Sequence, residues 1–309
     1  MIKKLGFFDI LNVLKADMPD FSIQKPDNIG KPLKFIERLL ICLNIFGYDR
    51  NQITFISQNT NSINGLICIR RIPNRNYWII RHLLLEKVNN DLLKKILDSS
   101  MAYIAKRKSY GVILRIPNNW QLVDSAASAK FKIASQNVIL TLGGHNYLSK
   151  SNPNYLSKSD SNRYKSELDF LYENTLEFFV KKNLTYYDID LVKLCSMVDV
   201  NAEELIYLDG NNFLGSLSKK DYHKMCAVSL TIIQKYFNLL PELIFEAYQF
   251  AKKKQLYWIV NIESKAILDS LHNLGLINQV SFYTLVYQTQ SKIYNNLTSK
   301  VKVSIEVQN

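Results

Sequence analysis

Glycine and proline are scarce in this chain of 309 residues, at 10 and 7, which excludes collagen-like and loop-dominated architectures. No run of about 18 apolar residues occurs, so no membrane-spanning helix is expected. The best candidate, FIERLLICLNIFGY from Phe35 to Tyr48, carries Glu37 and Arg38 and reads as an amphipathic, buried helix. The opening MIKKLGFFDILNVLKADMP starts with lysines as a signal peptide does, but Asp9 interrupts the apolar run and no small-residue cleavage site follows. A mature N-terminus and a cytoplasmic protein are expected. The four cysteines (Cys42, Cys68, Cys195, Cys226) form no CxxC pair and sit among apolar neighbours, which predicts small core residues and no disulfide framework. The four histidines show no ligand spacing, so no structural metal is expected.

What is present is apolar and basic. Hydrophobic residues make up 47% of the chain, too many for a disordered one. The length suits two domains of about 150 residues, and 18 Tyr with 15 Phe can fill two cores. The formal charge of +12 implies an anionic partner: nucleic acid, a lipid surface or a phosphate-bearing cosubstrate. The tightest basic groups, Lys106-Arg107-Lys108 and Lys252-Lys253-Lys254, fall at the ends of predicted helices, where cations complement the dipole. No zinc-finger, RRM or helix-turn-helix pattern accompanies them.

The chain also repeats itself. AKRKSYGVILRI, residues 105–116, recurs as AKKKQLYWIVNI, residues 251–262, with Ala105/Ala251, Lys106/Lys252, Lys108/Lys254, Ile113/Ile259 and Ile116/Ile262 identical. Each copy has the same neighbours. Leu92, Leu93, Ile96, Leu97, Met101, Ile104 and Ala105 follow helical spacing over Asn90–Tyr110, capped by Asn90 or Asp91. GVILRIP is a strand stopped by Pro117, NWQLVDSAASAKF a short helix, and Gln136–Leu142 a strand. The later copy runs helix Asn238–Leu256, strand YWIVNI, helix ESKAILDSLHNLGL and strand SFYTLVYQT. The short helices share Asp124/Asp269 and Ser125/Ser270, and the last strands share Thr141/Thr284 and Leu142/Leu285. Four successive elements in register indicate an internal duplication of a whole domain.

Upstream elements agree. NQITFISQN and SINGLICIRRI read as a hairpin turning within Asn59–Ser62, followed by the strand NYWIIRHLLLE; EELIYLDGNNFLGSL turns at Asp209-Gly210, followed by KMCAVSLTIIQ. Two helical stretches precede each hairpin: Phe8–Ala16 with Pro32–Ile45, and Glu167–Lys182 with Asp188–Val198. Residues 143–162, rich in Ser, Asn and Lys and containing NYLSKS twice, read as a flexible linker. The expected domains are therefore 1–142 and 163–309.

The order strand, two helices, three antiparallel strands, helix, strand, helix, strand resembles the GCN5-related N-acetyltransferase (GNAT) fold, in the tandem form that puts two such domains in one chain. SINGLICIRR resembles the family's entry into its third strand, and YWIIRHLLLE its fourth. The stretch from Asn118 to Lys130-Phe131 resembles the family's ending Asn-x-x-A-x-x-L-Y-x-x-x-G-F, with Gly275-Leu276 in the second half. The resemblance covers about residues 1–142 and 163–289. It implies an α/β (α+β) fold of two mixed, mostly antiparallel sheets flanked by helices. It implies acetyl-CoA as cosubstrate, lying where the fourth and fifth strands part and pairing with exposed strand backbone. It also implies transfer of an acetyl group to a small-molecule or peptide amine.

On that resemblance Leu83 and Leu85 would present backbone to the acyl-CoA, while Lys87, Val88, Asn89, Asn90 and Asp91 would take the place of the phosphate loop. That loop departs from the family's R/Q-x-x-G-x-G/A: it has no glycine, and Asn89 and Asn90 either replace glycine in left-handed backbone or cap the next helix. The family's proton-donating tyrosine falls on Ala126 and Leu271. Glu86 is the candidate general base, with His82 a second base or relay, or a hydrogen-bonded half-buried histidine. The first domain is expected to be the active one and the second degenerate. Two further readings compete: a catalytically inactive tandem scaffold, and a basic nucleic-acid-binding protein. A homo-oligomer fits either.

Overall fold

The structure is a computed structural model that describes residues 1–23, 26, 29–59, 62–107, 109–142, 155–157, 163–175, 184, 188–196, 199, 201–251 and 254–289. The first half of the sequence holds β1 (Ile2–Lys4), α1 (Ile10–Lys15), α2 (Phe35–Leu43), β2 (Gln52–Gln58), β3 (Ile63–Arg71), β4 (Tyr77–Leu85), α3 (Asn90–Ala105), β5 (Gly111–Pro117), α4 (Trp120–Ser128) and β6 (Lys132–Leu142). The second holds β7 (Leu156–Ser157), α5 (Lys165–Thr175), α6 (Ile189–Ser196), β8 (Glu203–Asp209), β9 (Asn212–Asp221), β10 (Met225–Ile232), α7 (Leu240–Phe250), β11 (Gln255–Asn261), α8 (Lys265–Asn273) and β12 (Leu276–Gln288).

Local chemistry accounts for most of these boundaries. In α3 the side chains of Leu93, Ile96, Leu97, Ser100, Met101 and Ile104 form one buried stripe. The helix starts where the Asn89 side chain accepts the Leu92 N–H at 3.0 Å. α4 starts the same way at Asn119, which accepts from Gln121 and Leu122 at 3.0 and 3.3 Å. The β8–β9 hairpin closes between Asp209 and Asn212, and Gly210 supplies the left-handed φ of +59° that so tight a turn needs.

Compact packing divides the chain into two units: Met1–Lys132 with Leu285–Asn309, and Ile133–Thr284. The division departs from the boundaries expected at 142 and 163. In the first unit the strands run β1-β2-β3-β4-β5, followed by the end of β12. In the second they run β7-β8-β9-β10-β11-β6, followed by the start of β12. β1–β2, β2–β3, β3–β4, β7–β8, β8–β9, β9–β10 and β6–β11 pair antiparallel, and each unit holds one parallel pair, β4 with β5 and β10 with β11. The last strand of the first half thus lies in the second unit, and the end of the last strand of the second half lies in the first. β6, the last strand of the first half, runs antiparallel to β11 from Tyr257/Thr141 to Asn261/Asn137. The end of β12 is tied to the first unit by the Thr289 N–H on the Tyr110 carbonyl at 3.1 Å. Gly111 is required there: a Cβ would stand 2.6 Å from the Tyr287 carbonyl oxygen.

Two further expectations are corrected. Most of the stretch read as a linker lies outside the described residues, but Leu156 and Ser157 form β7 against β8. The α2 segment is not buried. Ile41 and Cys42 are, while Phe35, Ile36, Leu39, Leu40, Phe46 and Tyr48 are exposed, so the helix turns only one side to the core. All four cysteines are free and buried, and burial pushes the thiols of Cys42, Cys68 and Cys226 up to about 11, 12 and 12. Among the described residues no helix is long and apolar enough to cross a membrane.

Candidate active site

In the first unit β4 and β5 pair only at Tyr77/Gly111, Trp78/Val112 and Ile79/Ile113. Just beyond, the β3–β4 register shifts between Cys68 and Ile69, a bulge at Arg81 that re-aims the strand. β4 and β5 then part, which is the opening the sequence resemblance leads one to expect. It is filled by the chain itself. The Phe21 N–H donates to the Leu83 carbonyl at 2.9 Å, the Leu85 N–H to the Pro19 carbonyl at 3.4 Å, and the Ile23 N–H to the Arg115 carbonyl of β5 at 3.0 Å. The Leu83 N–H is taken by Asp20 Oδ1 at 3.0 Å, and the Ser22 hydroxyl donates to the Arg81 carbonyl at 2.6 Å.

Asp20 holds this segment in shape. Its Oδ1 also accepts the Ser22 N–H at 2.9 Å, an Asx turn, and at 2.8 Å it shares with the Arg81 carbonyl the single proton of the Ser22 hydroxyl. Its Oδ2 lies 2.7 Å from His82 Nδ1. Buried hydrogen bonds contribute about 0.5–1.5 kcal/mol each, and those to a charged group about 1.5–3. Summed bond by bond, these come to roughly 6–16 kcal/mol. A micromolar ligand binds with about 8 kcal/mol and would gain nothing by displacing them.

The expected site residues take the following places. The backbone of Leu83 and Leu85 is committed to Pro19–Phe21, which corrects their assignment as acyl-CoA contacts. His82 is the hydrogen-bonded, half-buried partner of Asp20. Glu86 and Lys87 are exposed at the end of β4, and Val88 is half-buried. Asn89 caps α3; Asn90 and Asp91 are exposed in its first turn. Asn89 and Asp91 line a groove that also carries Lys95, Asp98 and Met1, where two carboxylates offset the two ammonium groups and leave no excess charge to draw a pyrophosphate.

The second unit repeats the opening. β10 and β11 pair from Met225/Gln255 to Val228/Trp258 and then part. β10 stays paired with β9 up to Ile232/Gly215, and Ile233 N–H bonds the Leu214 carbonyl at 3.0 Å. The alternation of an antiparallel ladder therefore turns the backbone groups of Leu230 and Ile232 away from β9. They face a cavity of about 340 Å³, within the range of ligand sites. Ser229–Ile232 form one wall, Gln234 and Phe237 stand at the end of that strand, and Asn261, with Glu263 to Ile267, forms the other side. Asn137, Asn174 and Ser196 complete it. Residues 176–183 and 185–187, which follow α5 as the filling segment follows α1, lie outside the described residues.

Glu263 is the one carboxylate among the described lining residues. Its N–H donates to Asn261 Oδ1 at 2.9 Å, an Asx turn that fixes where it leaves the strand. Asn137 is buried and donates to Ser135 Oγ at 3.0 Å and Thr284 Oγ1 at 3.4 Å. Gly215 lets the wall form: a Cβ there would stand 2.3 Å from the Thr231 carbonyl oxygen. Sequence reasoning passed over these residues because Ser, Asn and Thr at strand ends carry no motif. The signal that was available is the duplication itself, which places Ser229–Ile232 where Arg81–Leu85 stand in the first half.

No protein-family model and no curated protein sequence matches the chain. Solved structures do. A GCN5-related N-acetyltransferase from Sphaerobacter thermophilus superimposes with a TM-score of 0.53 at 11% identity, covering 95% of this chain and 96% of that one. A provisionally assigned acetyltransferase from Pyrococcus horikoshii gives 0.53 at 13% identity, covering 95% and 90%. A conserved protein of unknown function from Staphylococcus epidermidis gives 0.52 at 12%, covering 75% and 94%. The chain has the GNAT fold, as the order of its elements implied.

Proposed function

We propose that the chain is an acyl-CoA-dependent N-acyltransferase that holds its acyl-CoA in the second unit, between β10 and β11, and passes the acyl group to an amine. The observation that carries this reading is the open cavity walled by Ser229–Ile232, at the place where the first unit is filled. The backbone of Leu230 and Ile232 suits the amide-bearing arm of the cosubstrate. The phosphates would meet Lys235, exposed just past the end of β10. Free thiols throughout suit a cytoplasmic setting.

The chemistry asked of the chain is modest. The amine attacks the thioester carbonyl, the C–S bond breaks, and the amine's proton must leave as the thiolate gains one. Glu263 is placed to take the amine proton. Alignment of the two reactants supplies the remaining acceleration. Titration of the full chain with acetyl-CoA, followed by turnover against a panel of amines, tests this. Binding that Leu230→Pro abolishes would support the site, and binding indifferent to that change would sink it.

A second reading draws on the absence of any glycine between Ile233 and Asn238, where the family wraps phosphate in glycine backbone. A scaffold that binds without turnover would show saturable acetyl-CoA binding and no product with any amine. The acceptor amine itself is expected to be neutral-polar in character, since hydroxyl and amide side chains dominate the lining.

A further inference from the structure

We infer that the strand opening of the first unit is permanently filled by residues Pro19–Ile23, an internal strap that replaces the cosubstrate, so that the chain has one acyl-CoA site and not two. The count of one rests on the function proposed above; the closure of the first opening does not.

The strap bonds both walls of the opening, β4 through Leu83 and Leu85 and β5 through Arg115. It is also fastened at its outer side. The Asp20 N–H donates to the Lys31 carbonyl at 3.1 Å, and the Gly30 N–H to the Asp20 carbonyl at 2.9 Å. Pro19 and Pro32 face each other in an antiparallel bridge. Met18, Asp20, Ser22 and Ile23 are all buried. A cosubstrate arm pairing with β4 would need the same N–H and carbonyl of Leu83 and the same N–H of Leu85. These are satisfied by the chain at zero association cost, since the strap is held within the fold. Asp20 is buried with both oxygens engaged, so pulling the strap out would also leave the Leu83 N–H and the His82 ring without their partner.

Two measurements on the full-length chain test the inference. Hydrogen exchange followed by mass spectrometry should show the Phe21, Leu83 and Leu85 amides protected without ligand and unchanged by millimolar acetyl-CoA. Calorimetric titration should give a stoichiometry of one. A stoichiometry of two, or altered exchange at those amides on adding acetyl-CoA, overturns the inference. Absence of any binding would sink the proposed function, while protection of the three amides would still support the closure. Asp20→Asn keeps an acceptor for Leu83 and Ser22, and Asp20→Ala removes it. Exchange at Leu83 should therefore accelerate at least tenfold more in Asp20→Ala than in Asp20→Asn. Equal rates in the two variants count against Asp20 as the fastening.

Discussion

The two parallel strand pairs, β4 with β5 and β10 with β11, begin alike and end differently. Both stay paired for one short stretch and then part. In the first unit a bulge accompanies the parting and a buried segment fills the gap. In the second, β10 runs against β9 without a register shift, and the gap is a cavity lined by hydroxyl and amide groups. Topology alone makes the opening, because a crossover through α3 or α7 separates the strands that enclose it. In the first unit it is filled by the loop that follows the first helix.

That contrast can be broken or sharpened by substitution. The largest effect is expected at the cavity: Glu263→Gln should lower turnover about 10²-fold or more with acetyl-CoA binding retained, in steady-state and binding assays. If Glu86→Gln carries that loss instead, the active opening is the first one. Next comes the strap. Asp20→Ala leaves the Leu83 N–H and His82 without their partner, and should cost about 2–4 kcal/mol in urea unfolding.

The third test compares two glycines at matching places, Gly65 opposite Leu85 and Gly215 opposite Ile232. A Cβ on Gly65 would meet its neighbours at an ordinary 3.6 Å, and one on Gly215 would collide with backbone at 2.3 Å. Gly215→Ala should cost about 1–3 kcal/mol and Gly65→Ala about 0.5 or less, read as thermal midpoints. The smallest effect is expected at Asp221. Burial alone would raise its carboxyl, but hydrogen bonds from Lys219 and Lys254 outweigh that and hold it below the usual range. A folded-state value below the unfolded one stabilises above about pH 4 and is lost as pH falls through the folded value. The midpoint difference between wild type and Asp221→Asn should be small near pH 6 and vanish towards pH 3.

Much of the fold was legible where one rule acted alone. The spacing of Leu93, Ile96, Leu97, Met101 and Ile104 marks α3, the Asp209-Gly210 pair marks its hairpin, and apolar runs bounded by turn residues mark β2 to β4. The exchange of β6 and β12 was not legible, because duplicated strands sharing Thr141/Thr284 and Leu142/Leu285 fit either sheet equally well by pattern. The candidate site was half legible. Leu83 and Leu85 do stand on the strand that bounds the opening. Their partner Asp20 lies 63 residues from Leu83 in sequence, and no local pattern announces such a pairing. Asn89 satisfied two sequence rules at once; the structure gives the capping one.

Because each half finishes the other's sheet, neither half is a separable cassette. A gene fragment ending at residue 142 would produce β6 without β11 to receive it, and leave the edge of β5 uncovered. Bare edges of that kind recruit other chains. Anyone dissecting this protein should nick the polypeptide after it has folded rather than express its parts apart, and should expect the two pieces to copurify.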